Sequence, residues 1–464
     1  LEGGRISLKE IFRFWNGPVD VRGTLYWDLL YIFRNLKGGI ELAKKEYGRD
    51  LVSLGIDTWG EDFALLDESG KMLGNVVHYR DRRTAEMYEE IFSCMSMDEI
   101  FSQTGIQFKD YRSLCQLKAI SQNNPYEYRS AKHLLFVSDL FNYWLTGKMA
   151  TNRTIAGTSQ FYNPLLKGWA YEVLKRVGLR TDLFADFADP CTVLGSYREL
   201  SVVNVGAHDT ASAVAAVPVS TGARSAFISA GSWTSIGSEL NKPVINKNVR
   251  VAEFTNGVGI CDKTQLLKVM TGLWIIQELR KEWRDQGYNY SWSDLDNLAS
   301  SAQLHRFFID PTHKIFKSPG NMASRIQNFC EGTGQECPED HGSILLAVTE
   351  GLALLYADAV SLLESLTDEK FDMIRIIGGG SKNVVLNQFA ANALGRVVVS
   401  GPVEATAIGN ALSQMLALGD IESLEEGREL VRKSFSYESR VYSPRDIEEW
   451  GAALEKWRVL TGRV

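Results

Sequence analysis

The run VGAHDTASAVAAV (205–217) sets His208, Asp209 and Thr210 immediately before a string of small helix formers. An Asp at such a point has two uses. Its carboxylate can cap the helix by accepting a backbone N–H, or it can stand beside a ligand and take a proton from a substrate hydroxyl. The local sequence leaves both open. A second polar burst, IDTWGEDF (56–63), ends an apolar run with Asp57, Thr58, Glu61 and Asp62 around Trp59 and Gly60. Acidic residues there serve as solvated turn residues. With a tryptophan beside a glycine, they can also let a sugar lie against the backbone while polar groups take its hydroxyls.

Three further segments concern a nucleotide. GGGSKN (378–383) follows an apolar strand and opens a helix. Gly378, Gly379 and Gly380 let backbone approach a planar ligand, and the helix start offers unpaired N–H groups; a tight strand-to-helix turn has the same composition. The hairpin ISAGSWTSIG (228–237) bends at Gly231 and Ser232, where backbone N–H groups and a hydroxyl can hold phosphate oxygens without a lysine; an ordinary hairpin reads the same. GPVEATAIGNAL (401–412) puts Ala405, Ile408, Gly409 and Leu412 on one helix face, suited to close helix packing or to one wall of an adenosine slot. Common signatures are absent. There is no GxxxxGK[ST], no GxGxxG after a strand, no HRD or DFG pair and no HExxH, so a bound nucleotide needs another scaffold.

Composition narrows the class. The 464 residues are 45% hydrophobic and 23% charged with a formal net charge of -7, ordinary for a globular protein of two or three domains and unsuited to tracking nucleic-acid phosphates. YRDRRT (79–84) is the one short basic cluster, and clusters of that size are usually solvated or ion-paired. Six cysteines show neither CxxC pairs nor zinc spacing, and read as reduced thiols. No apolar run approaches the roughly 20 residues of a membrane span, and no signal peptide is recognisable. A cytoplasmic protein with neither nucleic-acid nor membrane partners is expected.

The elements that must position these residues come in two similar series. The first reads as an extended segment at about 5–16, a helix near 27–47 with Leu29, Leu30, Phe33, Leu36 and Ile40 at helical spacing, and strands at 51–57, 63–67 and 75–79. The second reads as strands at 224–231, 233–240, 249–256 and 265–270, a helix from Gly272 to Trp283, and a long helix at about 342–366. Strand 372–380, a helix to Leu394, strand 396–400 and a helix from Glu404 to Leu418 complete it. This order predicts an α/β fold of mixed sheets covered by helices, in two lobes with a cleft between them. The predicted domains are 1–218, with a helix-rich, aromatic insertion at about 85–200, and 219–464, with the boundary near Val217–Gly222.

Taken together, IDTWGEDFALLD, YRDRRT, TGIQF (104–108), LTGKM (145–149), HDTASAV, SAGSW, GLWIIQE (272–278), IIGGGSKNVVLNQFAANALG (376–395) and GPVEATAIGN resemble the FGGY carbohydrate kinases, in family order over nearly the whole chain. The resemblance implies a pair of actin-like, ribonuclease-H-like ATPase lobes, the first binding sugar and the second ATP. It implies transfer of the γ-phosphoryl group of ATP to O1 of a ketose, L-rhamnulose, with Mg2+ as cofactor. Asp209 lines up with the family's catalytic base, and Gly60, His208 and Thr210 with its ketose contacts. Ser232 stands where the family usually has a phosphate-contacting Thr, and Gln277 and Gly378, Gly379 and Gly380 match ATP-binding positions. No residue is assigned to the metal.

Three departures accompany the likeness. The family opens with a strand and a phosphate loop carrying an Asp, a Ser and an Arg, and this chain starts after that point. Val269 replaces a substrate-contacting Asn, and the segments TNGVG (255–259) and Gly195 to Ser201 are short. Another FGGY kinase for L-fuculose, xylulose or glycerol, or a catalytically silent sugar sensor, are the alternatives.

Overall fold

The computed structural model describes residues 3–219 and 224–463. They form two compact units. The first comprises the chain up to Ala216 together with Glu239–Leu266 and Thr406–Val431; the second comprises Val217–Ser238, Leu267–Ala405 and the chain from Arg432 onward. Part of the expected boundary segment, 220–222, lies outside the described residues.

In the first unit the strand Ser53–Gly55 pairs in parallel with Leu200–Asn204, which pairs antiparallel with Thr192–Tyr197. Phe63–Leu66 runs antiparallel to His133–Phe136, with Phe63 opposite Phe136 and Ala64 opposite Leu135. All of FALL is buried, because successive residues serve opposite cores. Phe63, Leu65, Leu134 and Phe136 enter one apolar cluster, while Ala64, Leu66 and Leu135 enter another. That is the two-residue period of a strand covered on both faces. The helix Leu29–Tyr47 keeps only part of its predicted face: Phe33, Leu36 and Ile40 are half-buried, Leu30 is exposed, and Ile32 turns inward in its place. Asp28 caps it by accepting from Tyr31 N at 2.9 Å, Leu29 and Ile32 are buried, and Gly48, at φ 57, ends it.

Three sequence expectations are corrected here. Residues 5–16 form no strand; Leu8 and Phe12 are exposed, and charges at Lys9, Glu10 and Arg13 interrupt any continuous apolar face. Residues 75–79 are not a strand either. They meet Thr24–Tyr26 through one bridge, Tyr26 to Val77, flanked by Trp27 N to Val76 O at 2.8 Å and His78 N to Leu25 O at 2.9 Å. Residues 249–256 begin inside a helix, Lys247–Val251, because Asn246 accepts from Val249 N and so caps it. The strand is Thr255–Val258, so TNGVG is largely sheet. The region 85–200 holds the expected helices, among them Met87–Cys94, Met97–Thr104, Ser113–Asn123 and Val137–Thr146, together with short strands.

The second unit is built on Ser225–Ala230, paired antiparallel with Trp233–Leu240 and parallel with Met373–Ile377. Val398–Ser400 adds in parallel and Arg440–Tyr442 antiparallel. The helix His341–Thr367 packs within this unit; it is long and apolar enough to cross a membrane, yet 89% of its most apolar stretch is buried in protein. A helix enclosed on nearly all sides requires that composition.

Candidate functional site

Parallel strands bring two carboxylates together in the first unit. Thr58 N donates to Ala207 O at 2.8 Å and Asp209 N to Thr58 O at 3.0 Å, so Thr58 bridges His208 in parallel. Asp57 and Asp209 therefore leave adjacent strands at their C-terminal ends, where open α/β sheets place their ligands. Asp209 is the first residue of the helix Asp209–Ala215, and the cap position belongs to His208. Its carboxylate is half exposed. Among the described residues it accepts from its neighbour Thr210, from N at 2.5 Å and from Oγ1 at 3.1 Å. The capping reading of Asp209 is thus set aside, and the carboxylate remains available to a ligand.

His208 holds position through its N–H, which donates to Thr154 Oγ1 at 3.2 Å, and its Nε2 lies 3.4 Å from Asp209 Oδ1. Burial keeps its imidazole below the ordinary value, opposed by the Asp209 charge, so it is neutral at pH 7. Gly60 packs tightly; a Cβ there would lie 3.1 Å from Thr158 Oγ1. The next residue, Glu61, takes a left-handed φ of 76, a strained conformation for a side-chain-bearing residue. The structure pins it with Ser113 Oγ donating to Glu61 O at 2.6 Å and with an ion pair to Arg112. Burial raises the Glu61 carboxyl, and the Arg112 guanidinium opposes that rise.

Asp57 is held from a distant stretch of sequence. Asn410 Nδ2 donates to Asp57 Oδ1 and, at 3.2 Å, to Gly55 O. Asn410 Oδ1 accepts from Gln414 Nε2 at 2.8 Å, and Gln414 Oε1 accepts from Ser53 Oγ at 2.8 Å. Burial pushes the Asp57 carboxyl up to about 7; the Asn410 hydrogen bond opposes this and the Asp209 charge adds to it. The sign follows from linkage. A carboxyl raised in the fold from its ordinary 3.8 stabilises fully below about pH 4, and that stabilisation is lost as pH rises through about 7. Between pH 5 and pH 8, Asp57→Asn is expected to lose about 1–2 kcal/mol less stability than the unmodified chain, allowing for solvent at its partly exposed edge. Urea melts across that range measure it, and parallel losses in the two proteins exclude it.

In the second unit the nucleotide candidates gather at the C-terminal ends of neighbouring strands. Ser229 pairs with Ile377, so the hairpin bend 230–233 and the glycines 378–380 follow side by side. A Cβ on Gly380 would lie 2.5 Å from Ala230 Cβ, and Gly378 has φ 80, whereas around Gly379 there is open space. Gly378 and Gly380 thus serve the turn, and Gly379 leaves backbone that a planar ligand can approach. Ser232 is exposed, and its Oγ donates to Gln277 Oε1 at 2.7 Å. The helix Ala405–Leu418 is a packing element: Gly409 lies directly against the Ser212 backbone. Among the described residues no group of three or more His, Cys, Asp or Glu is placed to hold a metal ion. All six cysteines are free thiols.

Sequence reasoning overlooked four participants. Asp57 stood within a quoted motif without a role, and Asp62 looked like a solvated turn residue. Asn410 stood within the quoted GPVEATAIGNAL without a role, and Arg112 gave no signal, since nothing local distinguishes a surface polar residue from one that folds back onto a distant strand end.

Comparison with known proteins gives the family. The N-terminal domain model of the FGGY family of carbohydrate kinases matches residues 20–230, and its C-terminal domain model matches 226–418. A protein of Bacteroides thetaiotaomicron named rhamnulokinase is 37% identical over 463 residues, covering 98% of this chain and 94% of that protein. A Bacillus subtilis protein of the same name is 34% identical, covering 97% and 92%. Among solved structures, a gluconate kinase from Lactobacillus acidophilus superposes with a TM-score of 0.80 at 15% identity, covering 97% of this chain and 92% of the other. Plasmodium falciparum glycerol kinase with ADP gives 0.78 at 16%, with the same coverage. These structures share the α/β fold of the actin-like ATPases expected from the sequence.

Proposed function

Because the chain belongs to the FGGY family of carbohydrate kinases, we propose that it transfers the γ-phosphoryl group of ATP to O1 of L-rhamnulose, giving L-rhamnulose 1-phosphate and ADP. The observation that carries the reaction is the placement of Asp209, a half-exposed carboxylate not spent on capping its own helix. The choice of sugar is supported by the relatives named rhamnulokinase, which match 34–37% over most of the chain.

In this reading Asp209 accepts the O1 proton as that oxygen attacks the γ-phosphorus and the bond to the ADP oxygen breaks. Neutral His208 and the Thr210 hydroxyl orient the ketose, and Gly60 admits it against the backbone. Ser232 meets the phosphates, and Gln277 with Gly378, Gly379 and Gly380 meets the rest of the nucleotide. The open space at Gly379 and the exposed Ser232 hydroxyl fit such a ligand. Mg2+ would neutralise phosphate charge, held chiefly by phosphate oxygens and water. We assign the sugar to the predicted domain 1–218, the nucleotide to 219–464, and the enzyme to the cytoplasm, where ATP is supplied.

The deciding assay offers L-rhamnulose, L-fuculose, L-xylulose, D-xylulose and glycerol with Mg-ATP and follows ADP release. L-Rhamnulose is expected to give the highest kcat/KM by about 10-fold or more. A different winner reassigns the substrate. Sugar binding without ADP release from any member overturns the kinase reading in favour of a sensor.

A further inference from the structure

The helix Asp209–Ala215 has only 7 residues, and those from Ala211 to Ala215 are all buried. It is two turns of mostly small side chains, whose low ridges define the direction of its axis weakly. Gly409 limits movement toward one side by lying against the Ser212 backbone. Ser212 Oγ donates to Gly206 O at 2.7 Å, which ties the helix to the segment that leads into it. At the start, Asp209 N donates to Thr58 O at 3.0 Å and His208 N to Thr154 Oγ1 at 3.2 Å. A helix held at one end pivots there. Its far end therefore sets the axis, and with it the direction in which the Asp209 carboxylate points.

The chain itself holds that far end poorly. A continuing helix would bond Val214 O to the N–H of residue 218 and Ala215 O to that of residue 219. Residue 218 is a proline, which has no N–H to give. Val219 N donates to Val217 O at 2.8 Å instead, and Ala216 N is divided between Ser212 O and Val214 O. Buried carbonyls left in this state are costly.

Arg428, from the helix Leu424–Ser434, meets the deficit. Its Nε donates to Ala215 O at 3.1 Å and its Nη2 to Val214 O at 3.2 Å. The residue is 7% exposed, and an ion pair with Glu239 neutralises it. A guanidinium buried this far needs both its charge and its donor directions matched, and here one carboxylate and two stranded carbonyls match them. We propose that Arg428, oriented by Glu239, is a positioning residue for the reaction, fixing the far end of this helix and thereby the stance of the Asp209 carboxylate. This rests on the reading of Asp209 as proton acceptor and adds what holds it on target.

Arg428→Lys keeps a positive charge for Glu239 but loses the planar fork that serves two carbonyls. It is expected to melt close to its parent and to lose kcat by about 10–100-fold through misplacement of the carboxylate. The KM for the ketose and the calorimetric Kd for ATP should stay within about 3-fold, since the loss falls on the transition state. The deciding readout is coupling. In an Asp209→Asn background, Arg428→Lys is expected to lower kcat by less than about 2-fold more, because no carboxylate remains to be aimed. Losses that multiply in the double variant overturn the proposal, as does a parental kcat in Arg428→Lys. If Arg428→Lys melts well below its parent, Glu239→Gln carries the same test, since it leaves the two carbonyl bonds in place and removes only the charge that orients them; kcat losses that multiply with Asp209→Asn, or no loss, overturn the proposal there too. Unchanged turnover in Asp209→Asn alone removes the proton acceptor and this proposal with it. The expected loss in Asp209→Asn, beside multiplying losses from Arg428→Lys, removes Arg428 alone.

Discussion

Asp209→Asn is expected to lower kcat by about 10²–10⁴-fold while ATP binding, followed by calorimetry, stays within about 2-fold. The amide keeps the size of the side chain and can still accept from Thr210, so the helix start should persist. What it lacks is the ability to take a proton from O1. The loss should therefore fall on kcat more than on the KM for the ketose, the signature of an interaction made in the transition state. The half-exposed setting of Asp209 makes the test clean, because no buried network collapses with the substitution. Turnover unchanged by this substitution removes Asp209 from the role. Loss of ATP binding together with turnover points instead to a folding defect.

Gly409→Ala should be nearly as damaging from a position with no part in the chemistry. A Cβ on Gly409 would fall 1.7 Å from Ser212 O and 2.5 Å from its carbonyl carbon, backbone atoms that cannot swing aside as a side-chain end can. Either the helix Ala405–Leu418 or the helix Asp209–Ala215 must move. Overpacking of this kind typically costs about 1–3 kcal/mol, and displacing Asp209 by about 1 Å lowers turnover by about 10²-fold. The expected result is a lower urea midpoint together with a loss of kcat. Gly451→Ala is the control, because its Cβ meets nothing within 4 Å, and it should match or exceed the parent in stability. If Gly409→Ala melts and turns over like its parent, the two helices are less tightly apposed than described.

Sequence and structure agree most closely where a long element carries its own period. Trp233–Leu240 has the bounds read from the sequence, and the helix His341–Thr367 lies within one residue of them at each end. In both, the apolar pattern and the flanking turn residues act over a few positions of chain. Agreement failed where burial is decided remotely. Ile6 to Phe14 has the apolar content of a strand, yet Leu8 and Phe12 stay exposed and the charges at Lys9, Glu10 and Arg13 break its apolar face. Asp62 reads as a turn residue because its four donors come from positions 27, 59, 79 and 116. The triplet 378–380 was legible as a turn, but which glycine serves the turn and which is left open depends on Ala230 in the neighbouring strand. HDT was legible as a chemical candidate. That its Asp is not the cap follows from the backbone of His208, which no local pattern announces.

The helix bearing Asn410 enters the first unit from far along the chain, and this sets a schedule for biosynthesis. When Ala216 leaves the ribosome, Gly55 and Asp57 still await Asn410, and the space beside Ser212 is unfilled. At about 5–20 residues per second, roughly 10–40 s pass before Val431 is made and that unit can close. Throughout that interval the nascent protein carries a half-finished fold whose last piece has not been translated, so chaperone dependence and sensitivity to ribosome pausing should concentrate there.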